Sequence, residues 1–223
     1  RAANDYLSRY RGNPYEFFVR TRIRHVYKPK PWGFGCEFFS GYGIFSGSLQ
    51  THYTNNVPIG VDFDITLFEF VLYLRDYIGF SKTVHEFNGK NTAVWEKNSQ
   101  VRVFLPEASI GYNFSKNSRF RIVPFGGIGS MDVSPTTYDL EHEEGLDKYD
   151  LTFTTTWITG INFDLMLGRQ KNSGLPKKSG YFVRIRYAYT FPQFGRYYPG
   201  FEGNMQYITL GIGTYTRGIK RDY

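Results

Sequence analysis

Along most of this chain apolar and polar side chains alternate with a period of two, the spacing that sends successive side chains to opposite faces of an extended strand. The pattern is clearest in "LTFTTTWITGINFDLML", residues 151–167. There Phe153, Trp157, Ile161, Phe163 and Leu165 share one face, and Thr154, Thr156, Gly160, Asn162 and Asp164 share the other. It recurs in "GFGCEFFSGYGIF", where Phe34, Cys36, Phe38, Tyr42 and Ile44 oppose Gly35, Glu37, Gly41 and Gly43. "GYFVRIRYAYTF" sets Tyr181, Val183, Ile185 and Tyr187 against Phe182, Arg184, Arg186 and Ala188. "EFFVRTRIRHVY" sets Phe17, Val19, Ile23 and Tyr27 against Arg20, Arg22 and Arg24 in the same way.

Two further runs, "PEASIGYNF" and "RFRIVPFGGIG", are separated only by "SKNS" and read as a hairpin. "MQYITLGIGTYTR" reads as a closing strand. The stretch from Val57 to Phe80 reads as one long strand whose phase slips near Phe68, as at a bulge. The sum is about eight strands, an even number that suits an all-β, antiparallel up-and-down barrel. If the chain starts on the periplasmic side, residues 28–32, 82–99, 134–150 and 193–203 become outer connections, and 51–56, 115–118 and 168–179 inner ones. The resulting organisation is an N-terminal periplasmic extension over 1–14, a transmembrane barrel over 15–218 and a tail over 219–223.

Composition narrows the choice of face. Aromatic residues make up 19% of the 223 residues, with 19 Tyr and 21 Phe, yet the mean hydropathy is −0.42. Aromatic abundance with low mean hydropathy fits strands that are apolar on one side only. No apolar run is long enough for a membrane helix, which leaves strands as the spanning element if the chain crosses a bilayer. The net charge of +7 would suit nucleic acid or an anionic surface equally well, so where the arginines lie decides between them. The polar faces gather Arg20, Arg22, Arg24, Arg121, Arg184 and Arg186 with Glu37, Asp62, Asp64, Glu107 and Asp164. Buried charges persist only when paired, and a narrow lumen lined by both signs meets that need. A soluble barrel with the aromatic face inward has the same period. Lipid is favoured by three features: the bulk of the apolar faces, Tyr and Trp near strand ends, and the many Gly on the opposite faces, which suit a cramped lumen.

With "TWITGINFDLML", "PEASIGYNFSKNSRFRIVPFGGIG" and "MQYITLGIGTYTR" in view, the chain resembles the small outer-membrane barrels of Gram-negative bacteria, the OmpX and OmpA membrane-domain type. Its Tyr, Asn and Lys usage resembles the porin-family barrels of Bacteroidota, which include accessory subunits of the type IX secretion and gliding machinery. The resemblance implies a bacterial outer-membrane location with the signal peptide removed. It also implies contact with outer-membrane lipid and lipopolysaccharide, and other envelope proteins as partners.

Chemistry was sought in the same residues. Barrel-embedded lipid A deacylases carry His and Ser two positions apart, on one strand face. None of His25, His52, His85 and His142 has Ser in that position. His25 reads as an interfacial residue, and His52 and His85 as solvated loop. The acidic stretch "YDLEHEEGLDKYD" lacks the alternation of a calcium loop. The basic "KNSGLPKKSG", with Lys171, Lys177 and Lys178, lacks the aromatics of a nucleic-acid patch. The single Cys36 excludes a disulfide framework and a thiolate cluster. The expectation is a closed, non-conducting barrel that is not an enzyme, with no cofactor, no metal and no nucleic-acid partner, acting as a structural or anchoring subunit. A barrel-embedded lipid A-modifying enzyme and a soluble, lipocalin-like ligand-binding barrel are the alternatives.

Overall fold

The computed structural model describes residues 2–23, 26–88, 94–115, 119–136, 151–167 and 177–222. Eight long strands dominate: β1 (Val26–Phe45), β2 (Val57–Leu67), β3 (Phe70–Lys82), β6 (Gln100–Tyr112), β7 (Phe120–Pro135), β8 (Leu151–Leu167), β9 (Lys177–Pro192) and β10 (Met205–Asp222). A small separate ladder joins β4 (Phe87–Asn88) to β5 (Val94–Trp95). The long strands close in the order β1-β10-β9-β8-β7-β6-β3-β2, each antiparallel to its neighbours. Each of the eight long strands therefore pairs with the long strand before and after it in the chain, and the seam joins first to last. Closure leaves no free edge, so backbone donors and acceptors are used up within the ladder.

The period of two maps directly onto the wall. In β3, Val71, Tyr73, Arg75 and Tyr77 are buried inward, while Phe70, Leu72, Leu74, Ile78 and Phe80 are exposed outward. In β8, Trp157 is 55% exposed beside Thr156 at 0%. The apolar face is the outside of this barrel and the polar face its interior.

Two readings of the strands are corrected. The segment 16–23 is not a strand: Glu16–Phe18 is helical and Val19–Ile23 forms a π-helical turn. Arg20 therefore leaves the lumen and pairs with Glu16 one helical turn back, at 2.7 Å, and Arg22 is exposed to solvent. Arg24 lies outside the described residues. The physical reason is that β1 already spends both edges, on β10 and on β2, so no strand edge remains for 16–23. The stretch 57–80, conversely, is two strands. Leu67 pairs with Phe70 across a two-residue turn, where Phe68 adopts φ +56°, and the phase slip marks this reversal instead of a bulge. The count of eight stands because one strand was lost and one gained.

The connections also re-sort. Residues 28–32 lie inside β1, and the connection after β1 leaves from the same end as those after β3, β7 and β9. That end carries all the longer connections. The opposite end holds both termini of the ladder, the Phe68 turn, and the links after β6 and β8. At the long-loop end, helix Ser48–His52 and helix Phe194–Tyr197 insert Leu49 and Phe194, both fully buried. These join Phe45, Tyr53, Trp95, Met131 and Met205 in the apolar core of the molecule. Below this plug lies the polar interior.

Candidate functional site: the charged lumen

Strand register brings the lumenal charges into rows. Asp62 on β2 is paired with Glu37 on β1 and with Arg75 on β3, and Arg75 is paired in turn with Glu107 on β6. On the other side Arg121, Asp164 and Arg184 are successive partners across β7, β8 and β9, with Asn162 beside Arg186. Cross-strand neighbours on one face lie about 5 Å apart, close enough for long side chains to meet without distortion.

The two rows fuse in the middle of the barrel. Arg184 grips Asp164 through Nε at 2.6 Å and Nη2 at 3.0 Å. Its Nη1 reaches across to Glu37 and Asp62, both at 2.7 Å, and Nη2 reaches Asp64 at 3.3 Å. Arg186 donates from Nη2 to Glu37 at 2.8 Å and to Asp62 at 3.0 Å, and from Nε to Asn162 at 3.0 Å. Arg75 donates from Nε to Asp62 at 3.2 Å and from Nη1 to Ser109 at 3.1 Å, and pairs with Glu107. Asp62 Oδ2 thus accepts from three guanidiniums and is the hub of the network. The planar fork of arginine, with five donors, can serve several carboxylates at once where lysine could not.

Aromatic rings seal this cluster. The Arg75 guanidinium lies 3.9 Å from the Tyr73 ring centre and 4.4 Å from that of Phe125. Arg184 sits 4.7 Å from Phe182, and Arg186 4.7 Å from Phe39, so stacking adds to the ion pairs. Inward glycines supply the room: a methyl group on Gly211 would collide with Glu37, and one on Gly35 would come within 2.5 Å of Asp64. Arg75, Arg184 and Arg186 are among the largest fully buried side chains of the protein.

Seven residues expected in the lumen from sequence meet there: Glu37, Asp62, Asp64, Glu107, Asp164, Arg184 and Arg186. Arg121 stands at the margin, 3.8 Å from Asp164 and partly exposed. Arg75 was missed, while Ser109 and Asn162 stand on the polar faces read from the sequence but were not named as members of the network. Arg75 had a signal, the inward run of "VLYLRDY", but beside Asp76 its phase could be set only once the turn at Phe68 was known. His52 is not simply a solvated loop residue: it ends helix Ser48–His52 and packs 4.5 Å from Phe201, ring centre to ring centre. His85 is exposed, and its ring centre lies 5.6 Å from that of His52. His25, His142, Lys171 and the acidic stretch at 138–150 lie outside the described residues, as do the side chains of Lys177 and Lys178.

The ladder and its two faces define the class: a closed eight-stranded antiparallel barrel with an apolar exterior and a charged, packed interior. No protein-family model and no curated protein matches the chain. Among solved structures it is similar to Neisserial surface protein A, at 9% identity over 83% of this chain and 97% of that one, with a TM-score of 0.45. It is also similar to Ail, the attachment invasion locus protein of Yersinia pestis, at 10% identity over 82% and 97%, TM-score 0.45. A third is the outer membrane protein OprG from Pseudomonas aeruginosa, at 14% identity over 86% and 95%, TM-score 0.37.

Proposed function

We propose that this protein is a sealed outer-membrane β-barrel that serves as a structural or anchoring subunit, holding the long connections of one end for other envelope proteins. One arrangement carries the reading: large apolar side chains stand outward on every strand, around an interior where arginines and carboxylates are buried against each other. Residues such as Phe38 (70% exposed), Ile212 (64%) and Leu210 (58%) would each be costly in water and are favourable against hydrocarbon. The interior pairs of Arg184 and Arg186 fill the space through which ions would pass, as expected of an eight-stranded lumen. Short links at the end that holds both termini and longer ones opposite are the arrangement of outer-membrane barrels, with short periplasmic turns. On this reading the N-terminal helices lie in the periplasm and the plugged end faces outward, against lipopolysaccharide. Membership of a type IX secretion or gliding assembly is the narrower form of the proposal, and it rests on residue usage.

Two measurements test it together. Heat-modifiable migration in detergent gels is expected, and a chain soluble without detergent would overturn the membrane reading. Planar-bilayer recordings should show little steady conductance, and a large stable channel would replace the anchor with a pore.

A further inference from the structure

One carboxylate faces outward from the middle of a strand. Asp76 follows the inward Arg75 on β3 and is exposed on the outer wall. It is the seventh of the 13 residues of β3, with Leu72 and Leu74 outward on one side and Ile78 and Phe80 on the other. At about 3.3 Å per residue and a tilt near 40°, apolar side chains extend roughly 10 Å along the barrel axis above and below it, half of an apolar band about 25 Å tall. Its cross-strand neighbours are Val61 and Pro106. It has no hydrogen bond or ion pair with any described residue.

The surface around it is shaped as well as charged. The register of β6 on β7 sets Pro106 opposite Ser130, and Ser130 is paired with Thr155 on β8. Asp76, Pro106, Ser130 and Thr155 therefore form one row of short side chains across four strands of an otherwise bulky wall. Leu74, Asp76, Pro106, Ala108, Ile128 and Ser130 line a recess of about 440 Å³ there.

We propose that this recess is a docking surface inside the membrane for a transmembrane segment of another protein, one that brings a lysine or arginine to Asp76. The inference rests on the membrane-barrel reading. A carboxylate in hydrocarbon is costly unless a cation or donor meets it, and such groups mark functional contacts. Lipid headgroup amines sit at the interface, too far away to reach mid-wall. A second copy related by a two-fold axis through the recess would bring Asp76 against Asp76. The outward basic side chains described on the strands at the recess, Lys82 on β3 and Arg102 on β6, stand at strand ends, and Arg102 is already 3.9 Å from Asp132.

The test has two arms, both on the full chain. Folded into phosphatidylcholine vesicles without any partner, Asp76→Leu should fold more favourably than wild type, by about tenfold in the folding equilibrium constant. A less stable variant would make Asp76 a structural residue and overturn the proposal. In native membranes, a benzoylphenylalanine photo-crosslinker replacing Ile78 should give one discrete heavier product. That product should survive Asp76→Glu, disappear with Asp76→Leu or Asp76→Lys, and map to a membrane segment containing Lys or Arg. Adducts of lipid alone, of a second copy of this chain, or of a segment without a basic residue would each overturn it. Failure of the wild-type chain to enter the vesicles would instead count against the membrane reading itself.

Discussion

Asp62 is the residue on which the lumen turns, because its Oδ2 accepts from Arg75, Arg184 and Arg186. Asp62→Asn leaves three buried guanidiniums short of a counter-charge, and a cost of about 3–5 kcal/mol is expected from denaturant unfolding of the folded barrel. Asp64 holds a single contact at 3.3 Å, and Asp64→Asn should cost clearly less. The double variant Glu37→Gln with Arg186→Gln should cost less than the sum of its single variants, since it removes a pair instead of stranding one member. Equal costs for Asp62→Asn and Asp64→Asn would show that the network has no hub. Alternation alone placed seven members of this network, because any residue two steps from a lumenal one is lumenal too. It could not place Arg75, since Arg75 and Asp76 are adjacent charges and the sequence offers either as the inward one.

At the scale of elements, the same ambiguity traces to the β2–β3 turn. "LFEF" contains no Gly, Asn, Asp or Pro, so nothing in it announces a reversal. The reversal is held from outside, by the amide of Phe68 donating to Pro31 O at 2.7 Å and that of Asn113 donating to Glu69 O at 2.8 Å. Phe68 stands in the left-handed region at φ +56°, where a bulky side chain is disfavoured and Asn is tolerated. Phe68→Asn should therefore fold at least as well as wild type, with a gain of about 1 kcal/mol in the same unfolding measurement. On the outer face, arginine at Ile185 near the middle of β9 should cost roughly 2–4 kcal/mol in vesicles, and arginine at Phe191 near its end much less. Equal costs at the two depths would contradict an apolar band. The N-terminal helices offer a pH test. The Gly12 amide and then the Arg20 guanidinium hold the Glu16 carboxyl below its usual range. Their support is therefore complete at neutral pH and is lost as pH falls through that lowered value. Amide exchange of Gly12, corrected for its intrinsic rate, should lose protection on acidification, and Glu16→Gln should show the same loss at neutral pH.

For the molecule as a whole, the all-β barrel and its inside-out faces were legible because a period of two is a local property of the chain. Which segments supply the strands was not, because that depends on closure. Arg20 and Arg22 alternate as well as the arginines of β9, and only the full use of both edges of β1 excludes them. The interior divides into two layers of different character, an apolar plug under the long connections and the charged cluster beneath it. On the sealed-barrel proposal, either layer alone is enough to block the lumen. Replacing Arg184 and Arg186 together by Ala should thus weaken the fold while leaving bilayer conductance low, whereas a steady channel in that variant would assign the seal to the charged layer.

The β1–β10 seam has a consequence for biogenesis. Its partners run from Val26 with Asp222 to Phe45 with Met205, so the first strand synthesised waits for the last before either gains its second neighbour. The Glu37–Arg184 and Glu37–Arg186 contacts span 147 and 149 residues and form only at that moment. Until then an open sheet carries unmatched charge on one face and free backbone groups at two edges, neither of which hydrocarbon tolerates. On the membrane-barrel proposal, insertion and closure are thereby coupled into one late event. If the barrel resides in a bilayer as proposed, a chain released before β10 is complete has no stable resting place there.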